Sequence, residues 1–295
     1  MRVLVAGSSG MIGTALVDGL REAGHEVTRL VRRRPAAADE RGWDPPAGRI
    51  DDGALAGMDA AVNLCGAGIA SRRWSHARKQ MLLNSRVEPT EVLADAVAEH
   101  GVPVLVNASA VGYYGDTGDR ETDESAPSGQ GFLAGLCRDW EAATARAEAA
   151  GARVVRLRTG HVLSRRGGLL GTLRPLFSLL LGGKLGDGRQ YMPFLHVADH
   201  VSAIRFSLET DGIAGAVNSC APHPVTNAEF TRALGRALGR PAPWFVPRLA
   251  LRVAVGDGAE EILYSQRTVP AKLTAHGFEF RHPKLDDALA AALRR

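Results

Sequence analysis

Lysine and tyrosine are the scarce residues of this 295-residue chain, four of each. The lysines are Lys79, Lys184, Lys272 and Lys284; the tyrosines are Tyr113, Tyr114, Tyr191 and Tyr264. Four positions beyond the tyrosines stand Thr117, Gly118, Leu195 and Thr268, so the chain holds no Tyr-x-x-x-Lys pair. A phenol made acidic by a lysine one helical turn away is therefore excluded as its acid/base. Cysteine is thin as well: Cys65, Cys137 and Cys220 are too few and too scattered for a disulfide framework or a zinc site, and no metal is expected. No run of about 18 uncharged apolar residues occurs, which excludes a membrane span. Glycines break the apolar N-terminus MRVLVAGSSGMIG before it resembles a secretion signal. A cytoplasmic protein with no membrane partner is expected. The net charge is only +4 despite a pI of about 9.2, and no aromatic residue interleaves with the short cluster Arg32-Arg33-Arg34. No nucleic-acid partner is expected.

What is present is a core-forming composition, 45% hydrophobic, arranged in alternating strand and helix patterns. Val3-Leu4-Val5-Ala6 reads as a buried strand, followed by a helix over about 12–23 that Gly24 stops. Further strands are predicted at 26–31, 60–64, 104–106 and 153–157. Helices are predicted at about 75–99, with Pro89 a candidate break, and at about 133–149. After Gly160 the texture changes to short apolar segments punctuated by glycine and proline, with helices predicted at 200–209, 227–238 and 284–293. The fold class is α/β, a Rossmann-type doubly wound parallel sheet over residues 1–165. Residues 166–295 form a smaller C-terminal substrate or cap region whose segments return to the main sheet.

The turn after the first strand, VLVAGSSGMIGTAL, places Gly7, Gly10 and Gly13 at G-x-x-G-x-x-G spacing. Gly7 permits the tight turn, Gly10 lets backbone approach a pyrophosphate, and Gly13 lets the helix pack closely on the strand. With Ser9, Met11 and Ile12 they form a phosphate cradle at a helix N-terminus. At the end of the second strand a carboxylate would select NAD, whereas arginine suits the 2′-phosphate of NADP. The chain reads EVTRLVRRR there, with Arg32 and Arg33 at the phosphate position and no carboxylate from Val27 to Ala38. The expected cofactor is NADP(H).

With those residues placed, the chain resembles an atypical extended short-chain dehydrogenase/reductase of the epimerase-like family whose members carry the label nucleoside-diphosphate-sugar epimerase. The resemblance runs the full length through GSSGMIG, WDP, AVNLCGAGI, NSRVEPT, SAVGYYG, LRTGHVLS, GDGRQYMPFLHVAD and VPAKLTAHGFEFRHPKLDDAL. It implies that Leu64, Cys65 and Gly66 pass beneath the adenosine half of the cofactor and that Arg86 faces the same cleft, the alternative for Arg86 being a surface helix charge. It implies that Arg158, Thr159 and Gly160 approach the nicotinamide end. It also implies a catalytic serine four residues before a tyrosine, which gives Ser109, itself beside the cofactor, and Tyr113, with Tyr114 as a second phenol. Related folds pair through two long helices of the sheet domain, so a homodimer is the implied assembly.

The stretch GFLAGLCRDWE, residues 131–141, stands where the family's catalytic tyrosine and lysine belong. It presents an apolar helix face of Phe132, Leu133, Leu136 and Trp140 instead. Glu141 is a substitute acid/base or, more simply, a helix-surface carboxylate beside a packed tryptophan. His161 and His196 titrate in the useful range, though His196 lies in what resembles a structural turn. The polar loop over residues 115–131 is either a lid or a solvated connection. Arg174, Lys184, Arg189 and Gln190 are available to an anionic small-molecule substrate. Three functions stay open: an NADP(H)-dependent oxidoreductase on a small carbonyl or sugar-nucleotide-like substrate, a nucleotide-sugar epimerase with replaced catalytic residues, and a non-catalytic NADP(H)-binding sensor or partner module.

Overall fold

The computed structural model describes residues 1–69, 72–256 and 258–294. Strand and helix alternate through the first half as β1 (Arg2–Ala6), α1 (Met11–Glu22), β2 (Glu26–Val31), β3 (Glu40–Asp44), β4 (Arg49–Ile50), β5 (Ala60–Asn63), α2 (His76–His100), β6 (Val104–Ala110), α3 (Phe132–Ala142), α4 (Ala145–Ala149) and β7 (Arg153–Thr159). The remainder runs β8 (His161–Ser164), α5 (Gly168–Ser178), β9 (Gly183–Leu185), β10 (Tyr191–Met192), β11 (Phe194–His196), α6 (Val197–Glu209) and β12 (Gly215–Ser219). It ends with β13 (Val225–Thr226), α7 (Asn227–Leu238), β14 (Trp244–Val246), α8 (Arg248–Val255), α9 (Ala259–Ile262), α10 (Ala271–Ala275) and α11 (Leu285–Leu293).

Eight strands form the main sheet in the order β12-β7-β6-β5-β1-β2-β3-β4, parallel throughout except for β4. The order reverses between β1 and β5, and in a doubly wound sheet that switch point opens the ligand crevice at the carboxyl ends of the strands. Period-two alternation along β1 explains the layers. Val3 and Val5 pack against Leu16 and Leu20 of α1 and Ile204 of α6, whereas Leu4 and Ala6 face Leu93 and Val97 of α2. Helix α1 buries Gly13, Leu16, Val17 and Leu20, one face at helical spacing. A separate core of Leu163, Leu170, Phe177, Phe194, Phe230 and Leu289 holds α5, α7, α11 and the small sheet β8–β11 together.

Three features depart from the sequence expectation. The edge pair β3–β4 was not anticipated, because ERGWD mixes charge with glycine and carries no apolar alternation. Helix α2 runs unbroken through Pro89, which lies buried inside it, while Ser75 caps its start by accepting from the Arg78 amide. The helix expected over 133–149 is two helices. Thr144 breaks it: its Oγ1 donates to the Glu141 carbonyl at 2.7 Å and accepts from Arg156 Nε at 2.9 Å. Strand β12, from beyond residue 165, joins the main sheet as its seventh parallel strand, beside β7.

Candidate functional site

The crevice begins at the glycine turn. Gly7 has φ +79°, and a Cβ there would stand 2.8 Å from the Leu64 carbonyl carbon, so this turn lies directly on the one that follows β5. A Cβ on Gly13 would stand 2.2 Å from the Gly7 carbonyl oxygen, which admits no side chain. Gly10 is different: its nearest neighbour would be an ordinary 3.5 Å away, and Ser9 and Gly10 are exposed. Space above Gly10 is thus open to a ligand, and no side chain caps the start of α1. Uncapped amides at a helix N-terminus suit a phosphate. Met11 and Ile12, half-buried, open the helix, with Met11 packed beneath Gly167 and Gly168.

At the end of β2 the arginines divide their work. Arg33 grips Glu40 with both terminal nitrogens, at 2.6 and 2.8 Å, and Arg29 grips Asp39 twice at 2.9 Å. These bonds hold Asp39 down to about 2, through Arg29 first, and Glu40 down to about 2, through Arg33 first. Arg33 is therefore not a free cation for a phosphate, which corrects the paired expectation. Arg32 is exposed and makes no hydrogen bond or ion pair among the described residues. It lies close enough to Cys65 to oppose the burial that pushes that thiol up to about 12. Both nearby carboxylates are consumed, so neither is free for a ribose 2′-hydroxyl.

Beneath the turn after β5 lies a polar network that the sequence did not disclose. Asn63 Nδ2 donates to Thr90 Oγ1 and Asn107 Oδ1, both at 2.8 Å, and Trp140 Nε1 donates to Thr90 Oγ1 at 3.0 Å. Asn63 Oδ1 accepts from the Cys65 amide at 3.1 Å, fixing the turn of Leu64, Cys65 and Gly66. Arg86 is no surface charge. It is buried, donates to the Ala67 and Leu82 carbonyls at 2.9 and 3.0 Å, and lies over the Trp140 ring. Burial pulls its guanidinium down to about 10. A Cβ on Gly66 would press on it at 3.1 Å, so the turn and the arginine are built against one another.

The loop expected from the resemblance to carry Ser109, Tyr113 and Tyr114 lies at the end of β6. Ser109 and Arg158 are register partners on adjacent strands, and Asn218 of β12 pairs with Arg158 from the other side. Ser109 Oγ donates to Glu141 Oε1 at 2.7 Å. Arg158 holds the same carboxylate with two bonds, Nε to Oε1 at 2.8 Å and Nη2 to Oε2 at 2.9 Å. Glu141 is thus a buried member of the site rather than a helix-surface carboxylate. The third arginine nitrogen donates to the Tyr114 hydroxyl at 3.0 Å, and that hydroxyl donates to Asn218 Oδ1 at 2.7 Å. Arg158 therefore braces the loop that carries Tyr114 against Glu141. Burial outweighs the neighbouring cation and pushes Tyr114 up to about 12, the wrong direction for an acid/base at neutral pH. Tyr114 is in this respect corrected: it is part of the frame. Tyr113 is half-buried, with the Arg158 guanidinium 3.4 Å from its ring centroid, and its hydroxyl makes no hydrogen bond among the described residues.

The remaining candidates sort by their contacts. Helix α3 presents Phe132, Leu133, Leu136 and Trp140 as an apolar face, with Phe132 edge-on to Trp74 at 5.3 Å. Its first turn is capped from far away, since Glu261 accepts from the Phe132 and Leu133 amides, both at 2.7 Å. Thr159 turns its hydroxyl back to the Leu157 carbonyl, and Gly160 presses on Pro193, where a Cβ would meet the carbonyl oxygen at 2.8 Å. His196 caps α6, packs on His282 and is pulled down to about 4 by burial, so it is a structural residue. His161 is exposed. Gln190 donates to the Leu185 carbonyl within a turn, whereas Arg189 is exposed. The loop 115–131 is neither a free lid nor merely solvated. Thr117 and Thr122 amides donate to the Ser265 and Arg267 carbonyls, and Glu124 accepts from the Asn218 and Lys272 amides.

A family model described as the NAD dependent epimerase/dehydratase family matches residues 3–219. The chain belongs to that family. A second model, a domain of unknown function called DUF1731, matches residues 246–292. The chain is 53% identical to the epimerase family protein Mb2239 of Mycobacterium bovis over 99% of this chain and 98% of that one. Human epimerase family protein SDR39U1, crystallised with NADPH, superposes with a TM-score of 0.91 at 36% identity, covering 99% of both chains. A nucleoside-diphosphate sugar epimerase from Corynebacterium glutamicum superposes at 0.82 and 39% identity, covering 99% of this chain but only 58% of that longer one. The resemblance read from the sequence, and the Rossmann-type fold, hold.

Proposed function

We propose that this chain is an NADP(H)-dependent oxidoreductase acting on a small carbonyl or sugar-nucleotide-like substrate. The observation that carries the cofactor choice is the division of labour after β2, where Arg32 is free while Asp39 and Glu40 are bound to other arginines. The open space at Gly10, the uncapped α1 and the NADPH held by the human relative support the same reading. Gly7, Gly10, Met11 and Ile12 would hold the pyrophosphate, Arg32 the 2′-phosphate, and the turn Leu64–Gly66 the adenosine side. Bound there, NADPH supplies the hydride.

This chain's residues supply the polar half of the reaction. The Tyr113 hydroxyl, which has no other partner among the described residues, donates to the substrate oxygen as negative charge develops on it. Ser109 spends its one proton on Glu141, which leaves its oxygen able only to accept, so its part would be to accept from a substrate hydroxyl that reaches it. Arg158 holds the Glu141 carboxylate by two bonds and keeps the Tyr113 ring in place. The apolar face of α3 and Trp74 shed water from the crevice.

Titration with NADPH and NADH, read by nicotinamide fluorescence, tests the cofactor reading. Arg32→Glu is expected to weaken NADPH by about tenfold to a hundredfold, the loss of a charge-assisted pair, while leaving NADH nearly unchanged. Equal affinity of the native chain for both nucleotides would refute it. NADPH oxidation over a panel of carbonyls tests the activity. Tyr113→Phe should abolish turnover with NADPH affinity intact, whereas NADPH binding with no turnover on any member would favour a sensor.

A further inference from the structure

Reduction of a carbonyl needs a proton as well as a hydride, and most polar groups of the crevice are already committed. Ser109 donates its proton to Glu141, and Glu141 is held twice by Arg158. Burial pushes Tyr114 up to about 12. Tyr113 has no lysine four positions beyond it to make its phenol acidic. His196 and His200 are both pulled down to about 4 by burial; the first caps α6 and the second bonds Ser219 Oγ at 2.8 Å. His161 is not among these committed groups.

Three residues follow Arg158 at the carboxyl end of β7. Thr159 turns its hydroxyl back to the Leu157 carbonyl at 3.0 Å and Gly160 has no side chain, so His161 alone of the three keeps a polar side chain free. Its backbone is fixed: the amide donates to the Pro193 carbonyl at 2.7 Å, and the residue pairs with Phe194 across β8 and β11. Its ring is exposed and makes no hydrogen bond or ion pair among the described residues.

The strands on either side place that ring. Thr159 pairs with Ala110, so β8 begins level with the turn Val111–Tyr114 that carries Tyr113. At its other end β8 bridges Leu163 and Ser164 to Gly168 and Gly167. Met11, the first residue of α1, lies against those glycines, where a Cβ on Gly168 would meet its sulfur at 3.3 Å. Strand β8 therefore lines the crevice from the carboxyl end of β7 to the phosphate cradle, with His161 at the end nearer Tyr113. The ring reaches solvent, yet protein surrounds it closely enough that burial, with no neighbouring charge contributing, draws the imidazole below its ordinary value. Access combined with desolvation marks a concave position.

We propose that His161 is a further catalytic residue, its imidazole standing at the nicotinamide end of the crevice and transferring the proton that the substrate oxygen requires. The inference rests on the NADP(H)-dependent oxidoreductase reading. As hydride reaches the carbonyl carbon, the electron pair of the C=O π bond moves to oxygen. That oxygen takes a proton from the His161 imidazolium, which is left neutral, and water returns the proton to the ring. Tyr113 holds the same oxygen by its hydrogen bond and keeps its own proton. In the reverse direction the neutral ring takes the proton from the alcohol.

NMR titration of isotope-labelled histidines in the full chain tests the placement, with excess NADPH and with excess NADP+. The two nucleotides share their phosphates and differ by one positive charge on the nicotinamide ring. At about 6 Å that charge lowers an imidazole pKa by about 0.5 even at the dielectric constant of water. His161, identified by the resonance missing from His161→Asn, should therefore titrate at least about 0.5 lower with NADP+, roughly a threefold loss of proton affinity. His276, which lies against Gly212 ahead of β12, should titrate alike with both. In NADPH oxidation over the carbonyl panel, His161→Asn should lower kcat by at least about a hundredfold with NADPH affinity and Tm unchanged. A His161 that titrates alike with both nucleotides, or a His161→Asn chain as fast as the native one, overturns this proposal alone. A native chain that binds neither nucleotide, or that is inert on every carbonyl, overturns the oxidoreductase reading and the proton transfer with it.

Discussion

Replacing Glu141 by glutamine isolates the ion pair on which the loop after β6 rests. The substitution keeps the volume and one acceptor oxygen but leaves the Arg158 guanidinium, its side chain 5% exposed, without a counter-charge. Removing one partner of a buried pair costs roughly 3–5 kcal/mol. The glutamine carbonyl and the Tyr114 hydroxyl still accept from Arg158, which places Glu141→Gln near the lower end, about 3 kcal/mol. An unfolding entropy of about 2.1 cal/mol/K per residue converts that into a fall of about 5 °C in Tm for a chain of this length. Arg158→Met strands the carboxylate instead and should cost about 4 kcal/mol. The double variant Glu141→Gln with Arg158→Met should fall short of the sum by about 2 kcal/mol, since neither charge is left alone. Thermal melts and urea titrations of all four proteins measure the cycle. Additivity within about 0.5 kcal/mol, or a Tm change under about 1 °C for Glu141→Gln, would refute the coupling drawn from this geometry.

Two other outcomes follow from residues already placed. Asp39 and Glu40 are held at about 2 by their arginines, below ordinary carboxylate values, so the folded state binds their protons less readily than the unfolded chain does. Their stabilisation is present above about pH 4–5, where the unfolded carboxylates are ionised, and is lost as pH falls toward 2. Acid titration followed by circular dichroism should show that limb flattened in Glu40→Gln; an unchanged limb would show that the arginine pairs contribute nothing there. Gly13→Ala should destabilise the chain by several kcal/mol and abolish NADPH binding, because its methyl would stand 2.2 Å from the Gly7 oxygen. A stable Gly13→Ala protein that binds NADPH would mean the turn can open.

The cofactor half was legible because backbone demands it. A left-handed turn at Gly7 and the close approach at Gly13 admit only glycine, and such demands leave spacing that survives in the sequence. The apolar face of α3 was legible for a similar reason, its side chains recurring at helical period. The buried network of Ser109, Glu141 and Arg158 was not. These three lie 17 to 49 positions apart and meet only through strand register and the packing of α3, which no local pattern encodes. Glu141 beside Trp140 reads as a surface carboxylate because burial of a charge depends on a partner elsewhere in the chain. Arg33 and Arg32 are indistinguishable as letters; Glu40, delivered by an edge strand the pattern did not announce, separates them. The polar bonds from Glu261 to α3 were out of reach for the same reason.

The strapping of loop 115–131 by residues 265–272, together with Glu261 at the start of α3, has a consequence for how the protein is made. Synthesis proceeds from the N-terminus, so the glycine turn, β2 and Arg32 can fold while much of the chain is still on the ribosome. Helix α3 lacks its Glu261 cap, the Thr117 and Thr122 amides lack their acceptors, and Glu124 lacks its Lys272 donor, until the segment from Glu261 to Lys272 has emerged. A nascent chain would therefore become competent to hold nucleotide well before it could arrange Tyr113 and Ser109, and the order of maturation runs from cofactor to chemistry.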